Sequence, residues 1–178
     1  MDAYVYVRTT PGEARRVGEA IAEKDSVRQV SLITGQWDLL VALASLDAFA
    51  LGSTVIDELQ GISGVVQTST APVIPLDYAS RTGGPRYPTI HFAALVALVH
   101  IHVQHGKGLD VFKALDAMEG VAGVAALAGP YDILCEVGGD SWEEIASMLL
   151  NEIQQVPGIE STTTSLAVAK LKPAATAD

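Results

Sequence analysis

The sequence predicts an α+β protein built from two tandem βαββαβ units. Three observations carry that expectation. The chain repeats itself without a gap, both copies share one strand and helix pattern, and a glycine-containing hairpin is spelled twice. The two hairpins read ITGQWDLLVAL (Ile33 to Leu43) and LAGPYDILCEV (Leu127 to Val137).

A shift of 94 residues aligns a first copy, from about Ala3 to Ile74, with a second, from about Ala97 to Val168. It brings Gly12 onto Gly106, Val17 onto Val111, Gly35 onto Gly129, Asp38 onto Asp132, Glu58 onto Glu152 and Gly64 onto Gly158. These matches fall at turns and core positions, as a repeated structural unit requires.

In the first copy AYVYVRT is β-branched and aromatic, and reads as a strand. TPGE follows, with Thr10 as N-cap, Pro11 at the first helical position and Glu13 reaching back, so a helix is expected to begin there. Ala14, Val17 and Ile21 give it one apolar stripe, and VRQVSLIT alternates as a strand. The glycine turn leads into WDLLVALA. A second helix is expected over about Leu46 to Gln60, with Phe49, Val55, Ile56 and Leu59 on one side, and GVVQTSTAPVI closes the unit. In the second copy Leu109, Phe112, Leu115 and Met118 recur at steps of three. Its second helix opens on a Ser141-x-x-Glu144 capping box ahead of Ile145, Met148, Leu149 and Ile153.

A βαββαβ order with short links predicts a four-stranded antiparallel sheet with both helices on one face, the ferredoxin-like arrangement. The bare face calls for a second sheet to cover it, which gives a dimeric α+β barrel, formed within the chain or by exchange with a neighbouring chain. The expected boundaries are a first unit over 1–74, a linker rich in Pro, Gly and Ser over 75–94, a second unit over 95–172 and a disordered tail over 173–178.

Composition excludes several classes. The net charge is -10, and Arg8, Arg15 and Arg16 lie among Glu13, Glu19 and Glu23, so direct nucleic-acid binding is not expected. The longest apolar run, Phe92 to Val103, is shorter than a membrane helix and contains two histidines. The N-terminus does not read as a signal peptide, and a cytoplasmic location is expected. Cys135 has no intrachain partner and sits in an apolar run, which reads as core.

With these residues in place, each unit resembles the effector-binding domain of Lrp/AsnC transcriptional regulators. The pattern is carried by Gly35, Trp37, Asp38, Gly64, Val65 and Thr70, and again by Gly129, Tyr131, Asp132, Gly158, Ile159 and Thr164. The first strand begins by residue 3, so the resemblance is to a tandem, stand-alone form without the helix-turn-helix domain. It implies an amino-acid-binding or metabolite-binding regulatory protein that is homo-oligomeric, with a full-length Lrp/AsnC regulator as a partner.

The physical case for a site is separate from the resemblance. A glycine turn lets backbone N–H groups approach a carboxylate, and an aspartate beyond it can pair with an α-ammonium. Thr68, Thr70, Thr162 and Thr164 offer hydroxyls if the last strand of each unit lies beside the turn. The ligand-binding candidates are therefore Gly35, Trp37, Asp38, Thr68, Thr70, Gly129, Tyr131, Asp132, Thr162 and Thr164. On the plainer reading the glycines supply positive φ, the aspartates satisfy turn amides and the aromatic rings cover the core.

No catalytic residue, metal ligand or cofactor is expected, since neither a nucleophile motif nor a phosphate loop occurs. The rival readings are an α+β barrel enzyme or a metal- or haem-binding protein using His100 and His102, with His105 near, and a purely structural oligomerisation module.

Overall fold

The computed structural model describes residues 2–45, 47–76, 87–90 and 95–172. The chain divides into two units, the first made of residues 2–73 and 167–172, the second of residues 74–166. Each is α+β with the βαββαβ order of a ferredoxin-like unit.

In the first unit the order is β1 (Asp2–Thr9), α1 (Ala14–Ala22), β2 (Val27–Ile33), β3 (Leu39–Ala44), α2 (Ala48–Ser53) and β4 (Val65–Pro72). Its antiparallel sheet runs β4-β1-β3-β2. Alternate residues of the strands, among them Val5, Val7, Val30, Leu39 and Val41, pack against Val17 and Ile21 of α1 and against Leu51, Val55 and Leu59. Period two sends Tyr4, Tyr6, Ser31 and Leu40 to the other face, where they are also buried.

The second unit repeats the plan with β5 (Leu95–Val103), α3 (Gly108–Asp116), β6 (Val121–Ala126), β7 (Ile133–Gly139), α4 (Trp142–Asn151) and β8 (Ile159–Lys172). Its sheet runs β8-β5-β7-β6. Val99, Ile101, Ile133 and Cys135 face α3 and α4. Cys135 is a buried free thiol, the core position its surroundings in the sequence imply.

Strand β8 is longer than its counterpart β4. Residues up to Leu166 pair with β5, and residues from Ala167 to Lys172 pair with β2 in the first unit. Leu171 packs on the first core, and the Lys172 ammonium donates to the Lys24 carbonyl at 3.0 Å. The grouping of 167–172 with the first unit thus differs from the boundary expected at 95–172. Of the linker, 77–86 and 91–94 lie outside the described residues, as do the tail at 173–178 and Leu46. Within it, the N–H groups of Thr89 and Ile90 both donate to the buried Glu136 carboxylate at 2.9 Å.

Local details depart from the expected pattern in three places. Thr10 does not cap α1: Gly12 takes φ +87, the Glu13 N–H closes a turn on the Thr10 carbonyl, and the helix begins at Ala14. Glu13 pairs with Arg16 instead of reaching back. The helix expected over Leu46 to Gln60 is α-helical only to Ser53 and then π-helical over Thr54–Leu59, with the Gln60 N–H bonded to the Val55 carbonyl. The buried stripe is Leu51, Val55 and Leu59, spaced by four, while Phe49 and Ile56 are 87% and 63% exposed. In α3 the buried stripe is Val111, Phe112 and Leu115, and Leu109 is exposed. The Ser141 cap forms: its hydroxyl accepts from the Glu144 N–H at 3.2 Å, and Glu144 reaches back to the Asp140 N–H at 2.8 Å.

Candidate functional site

The two hairpins share a pair of backbone bonds. The Ile33 N–H donates to the Asp38 carbonyl at 2.9 Å, and the Asp38 N–H donates to the Val7 carbonyl at 3.0 Å. In the second unit Leu127, Asp132 and Ile101 make the same two bonds at 2.8 and 3.0 Å. Asp38 Oδ2 then accepts from the backbone and hydroxyl of Thr9, and Asp132 Oδ2 accepts from the Val103 N–H at 2.9 Å. Each aspartate therefore clamps the hairpin to the end of its unit's first strand, the turn-amide role of the plainer reading. No bond engages Oδ1 of either residue among the described residues.

Gly35 takes φ +107, a left-handed conformation that disfavours any residue with a Cβ. The following aromatic turns inward. Trp37 is 5% exposed and Tyr131 7% exposed. Trp37 lies 5.8 Å from the Tyr6 ring and 5.4 Å from the Arg8 guanidinium, centroid to centroid and centroid to carbon. Tyr131 lies 4.7 Å from the His100 ring and 5.4 Å from that of His102. Under the repeat Tyr6 corresponds to His100 and Arg8 to His102, so each unit holds one aromatic ring from the hairpin over two side chains of its first strand.

The threonines lie elsewhere. Thr68 and Thr70 pair with Val7 and Val5, and share the face that carries the helices. Thr68 Oγ1 accepts from Gln60 Nε2 at 2.8 Å, and Thr162 Oγ1 accepts from Gln154 Nε2 at 2.9 Å. Thr164 pairs with Val99, again on the helix face. The structure thus joins Gly35, Trp37 and Asp38, and separately Gly129, Tyr131 and Asp132. It sets Thr68, Thr70, Thr162 and Thr164 on the opposite side of the sheet from the two rings. Gln60 and Gln154 correspond under the 94-residue shift, and that identity is the sequence signal for the repeated contact.

His100 is 1% exposed, and its Nε2 lies 3.2 Å from Ser165 Oγ. Burial lowers its pKa from 6.5 to about 4, so the ring is neutral at pH 7. His102 is half exposed, with Nδ1 3.7 Å from Asp132 Oδ2. Among the described residues no three His, Cys, Asp or Glu side chains come together to hold a metal ion, and no helix is long and apolar enough to cross a membrane.

The Lrp/AsnC ligand binding domain family matches residues 2–75 and again 96–176, and the chain belongs to that family. It is 39% identical over 71 residues to an uncharacterised HTH-type transcriptional regulator of Pyrococcus horikoshii, a match covering 38% of this chain and 47% of the relative. An HTH-type regulator of Pyrococcus abyssi matches to the same extent. The chain thus spans about half the length of these relatives. Among solved structures, the siroheme decarboxylase NirDL in complex with an iron-uroporphyrin III analogue has the same fold, with a TM-score of 0.73 over 98% of this chain and 73% of that one, at 13% identity. A chlorite dismutase of Candidatus Nitrospira defluvii follows with a TM-score of 0.55 over 94% and 90% of the two chains, at 11% identity.

Proposed function

We propose that this protein is a small-molecule sensor that binds an amino acid or a related metabolite at its glycine-aspartate hairpins and acts through protein partners rather than through catalysis. The observation that carries the reading is the twofold match to the Lrp/AsnC ligand-binding family, with the same pair of hairpin backbone bonds in both copies. Oδ1 of each aspartate can accept an α-ammonium while Oδ2 holds the backbone. The exposed Gly35 and Gly129 turns leave backbone N–H groups within reach of a carboxylate. In this reading the chain assembles as a homo-oligomer and docks on a full-length regulator of the same family.

A thermal-shift screen over the amino acids and related metabolites tests it, because a ligand of the folded state raises the melting temperature by mass action. A ligand that stabilises the wild type and fails to stabilise the Asp38→Asn/Asp132→Asn variant supports the sensor. Asparagine retains one acceptor oxygen for the clamp, so this variant keeps the hairpins. A flat screen overturns the reading and leaves an assembly module. Saturable binding of an iron porphyrin with a visible absorption band, in place of any amino acid, moves the function to the tetrapyrrole class named by the NirDL complex.

A further inference from the structure

The first unit holds an unpaired indole N–H beside a guanidinium that has no carboxylate partner among the described residues. Trp37 is 5% exposed, yet its indole N–H has no hydrogen-bond partner. A buried donor left unpaired costs about 1–3 kcal/mol, so such a group is rare unless something else occupies it. Against the same ring lies the Arg8 guanidinium, 5.4 Å from the centroid. Its Nε and Nη2 donate to the Gln36 carbonyl at 3.3 and 3.2 Å. No carboxylate pairs with it among the described residues, although the chain carries a net charge of -10. The acid nearest in the hairpin, Asp38, is turned to Thr9.

The second unit shows that the fold does not need this pair. There the equivalent residues are Tyr131 and His102, and His102 sits 3.7 Å from Asp132. Among the described residues a guanidinium against a hairpin indole occurs in the first unit alone.

We propose that Arg8 and Trp37 Nε1 form an oxyanion site in the first unit that takes the carboxylate of a small metabolite. The guanidinium offers its unused Nη1 and the indole its N–H, so the two carboxylate oxygens have separate donors. The Tyr6 ring, 5.8 Å from Trp37, provides an apolar wall beside it. Thr34, Gly35 and Gln36 are exposed at the hairpin tip that carries Trp37. The inference rests on the metabolite-sensor reading above and, in the first unit, assigns the ligand carboxylate to this pair rather than to the turn N–H groups.

The chain contains two tryptophans, so Trp142→Phe leaves Trp37 as the sole indole reporter. That protein is titrated with sodium benzoate, sodium acetate and inorganic phosphate, each against sodium chloride at equal ionic strength. The expected result is a saturable change in Trp37 emission with the carboxylates, and roughly tenfold weaker binding when Arg8→Gln is added, the loss of one charge-assisted pair. Trp37→Phe keeps an aromatic ring and removes the donor. Calorimetry with benzoate is expected to show a similar loss, with the circular dichroism spectrum unchanged.

A response no different from that to chloride, or equal affinity in Arg8→Gln, overturns the site. Saturation by phosphate alone overturns its assignment to carboxylates. Amino acids that stabilise wild type and Arg8→Gln equally leave the sensor standing and remove this site. Carboxylate binding that depends on Arg8, in a protein no metabolite stabilises, does the opposite.

Discussion

Asp38 Oδ2 receives two hydrogen bonds from one residue, the backbone N–H of Thr9 at 2.7 Å and its hydroxyl at 3.1 Å. Asp132 receives only the Val103 N–H at 2.9 Å, since valine has no hydroxyl. Asp38→Ala is therefore expected to cost more stability than Asp132→Ala, roughly 2 kcal/mol against roughly 1, by urea unfolding with unchanged m-values. Thr9→Val should close most of that gap. Equal losses in the two alanine variants would show that the Thr9 hydroxyl contributes nothing.

Acid should act through His100. Its pKa lies below that of the unfolded chain, so the unfolded state takes up the proton first as pH falls. The stability it contributes is fully present above about pH 6.5 and is lost on the way down to pH 4, roughly 3 kcal/mol in all. Melting temperatures measured from pH 7.5 to 4.5 should fall along that window, and His100→Gln should flatten the fall. A slope that survives the substitution assigns the acid sensitivity to other groups.

Gly158 and Gly64 close the turns ahead of the last strand of each repeat at φ +101 and +93. A Cβ on Gly158 would stand 2.8 Å from Lys107 Cβ and 3.1 Å from Val111 Cγ2. On Gly64 it would meet Val17 Cγ2 and the mobile end of Arg16, each at 2.9 Å. The left-handed backbone alone costs about 1–2 kcal/mol with alanine. Gly158→Ala is expected to lose at least that much, and more than Gly64→Ala, because Lys107 Cβ is fixed to the chain. Denaturant midpoints in the reverse order would contradict the contact geometry.

Phe49 is 87% exposed, and the repeat places Glu143 at the same position in the second unit. Phe49→Glu is expected to change stability by less than about 0.5 kcal/mol in chemical denaturation. A loss above about 1 kcal/mol would mean the ring is covered in solution.

The fold was legible because the repeat doubled every weak signal. Glycines at 35, 64, 129 and 158, the alternating strands and the Ser141 cap all fall where pattern and spacing put them. The failures share a cause in local backbone energetics that apolar spacing does not encode. Thr10 and Pro11 resemble a helix start, but Gly12 adopts a left-handed turn before the helix begins. Phe49 and Ile56 are expected beside Val55 and Leu59, but the buried side is the one that Leu51 shares with Val55 and Leu59.

The site was half legible. The Gly-x-aromatic-Asp string marks the hairpin, and the repeat marks its copy. Thr68 pairs with Val7, one residue on from Tyr6, so the threonines lie across the sheet from the rings. One step along β1 reverses the face, so Tyr6 and Arg8 meet Trp37 while Thr68 meets Gln60. The unpaired indole N–H has no sequence signature at all, since it depends on which acceptors the packed neighbours fail to supply.

The last stretch of β8 lies along β2 and completes the sheet of the first unit. On the ribosome those residues emerge only after the whole second unit has been made. Until then the backbone of β2 carries an open hydrogen-bonding edge, which another nascent chain can extend. Recovery of this protein should therefore improve when holdase chaperones are abundant and fall when elongation through the second unit is slowed, and truncation before Ala167 should leave the first unit prone to aggregate.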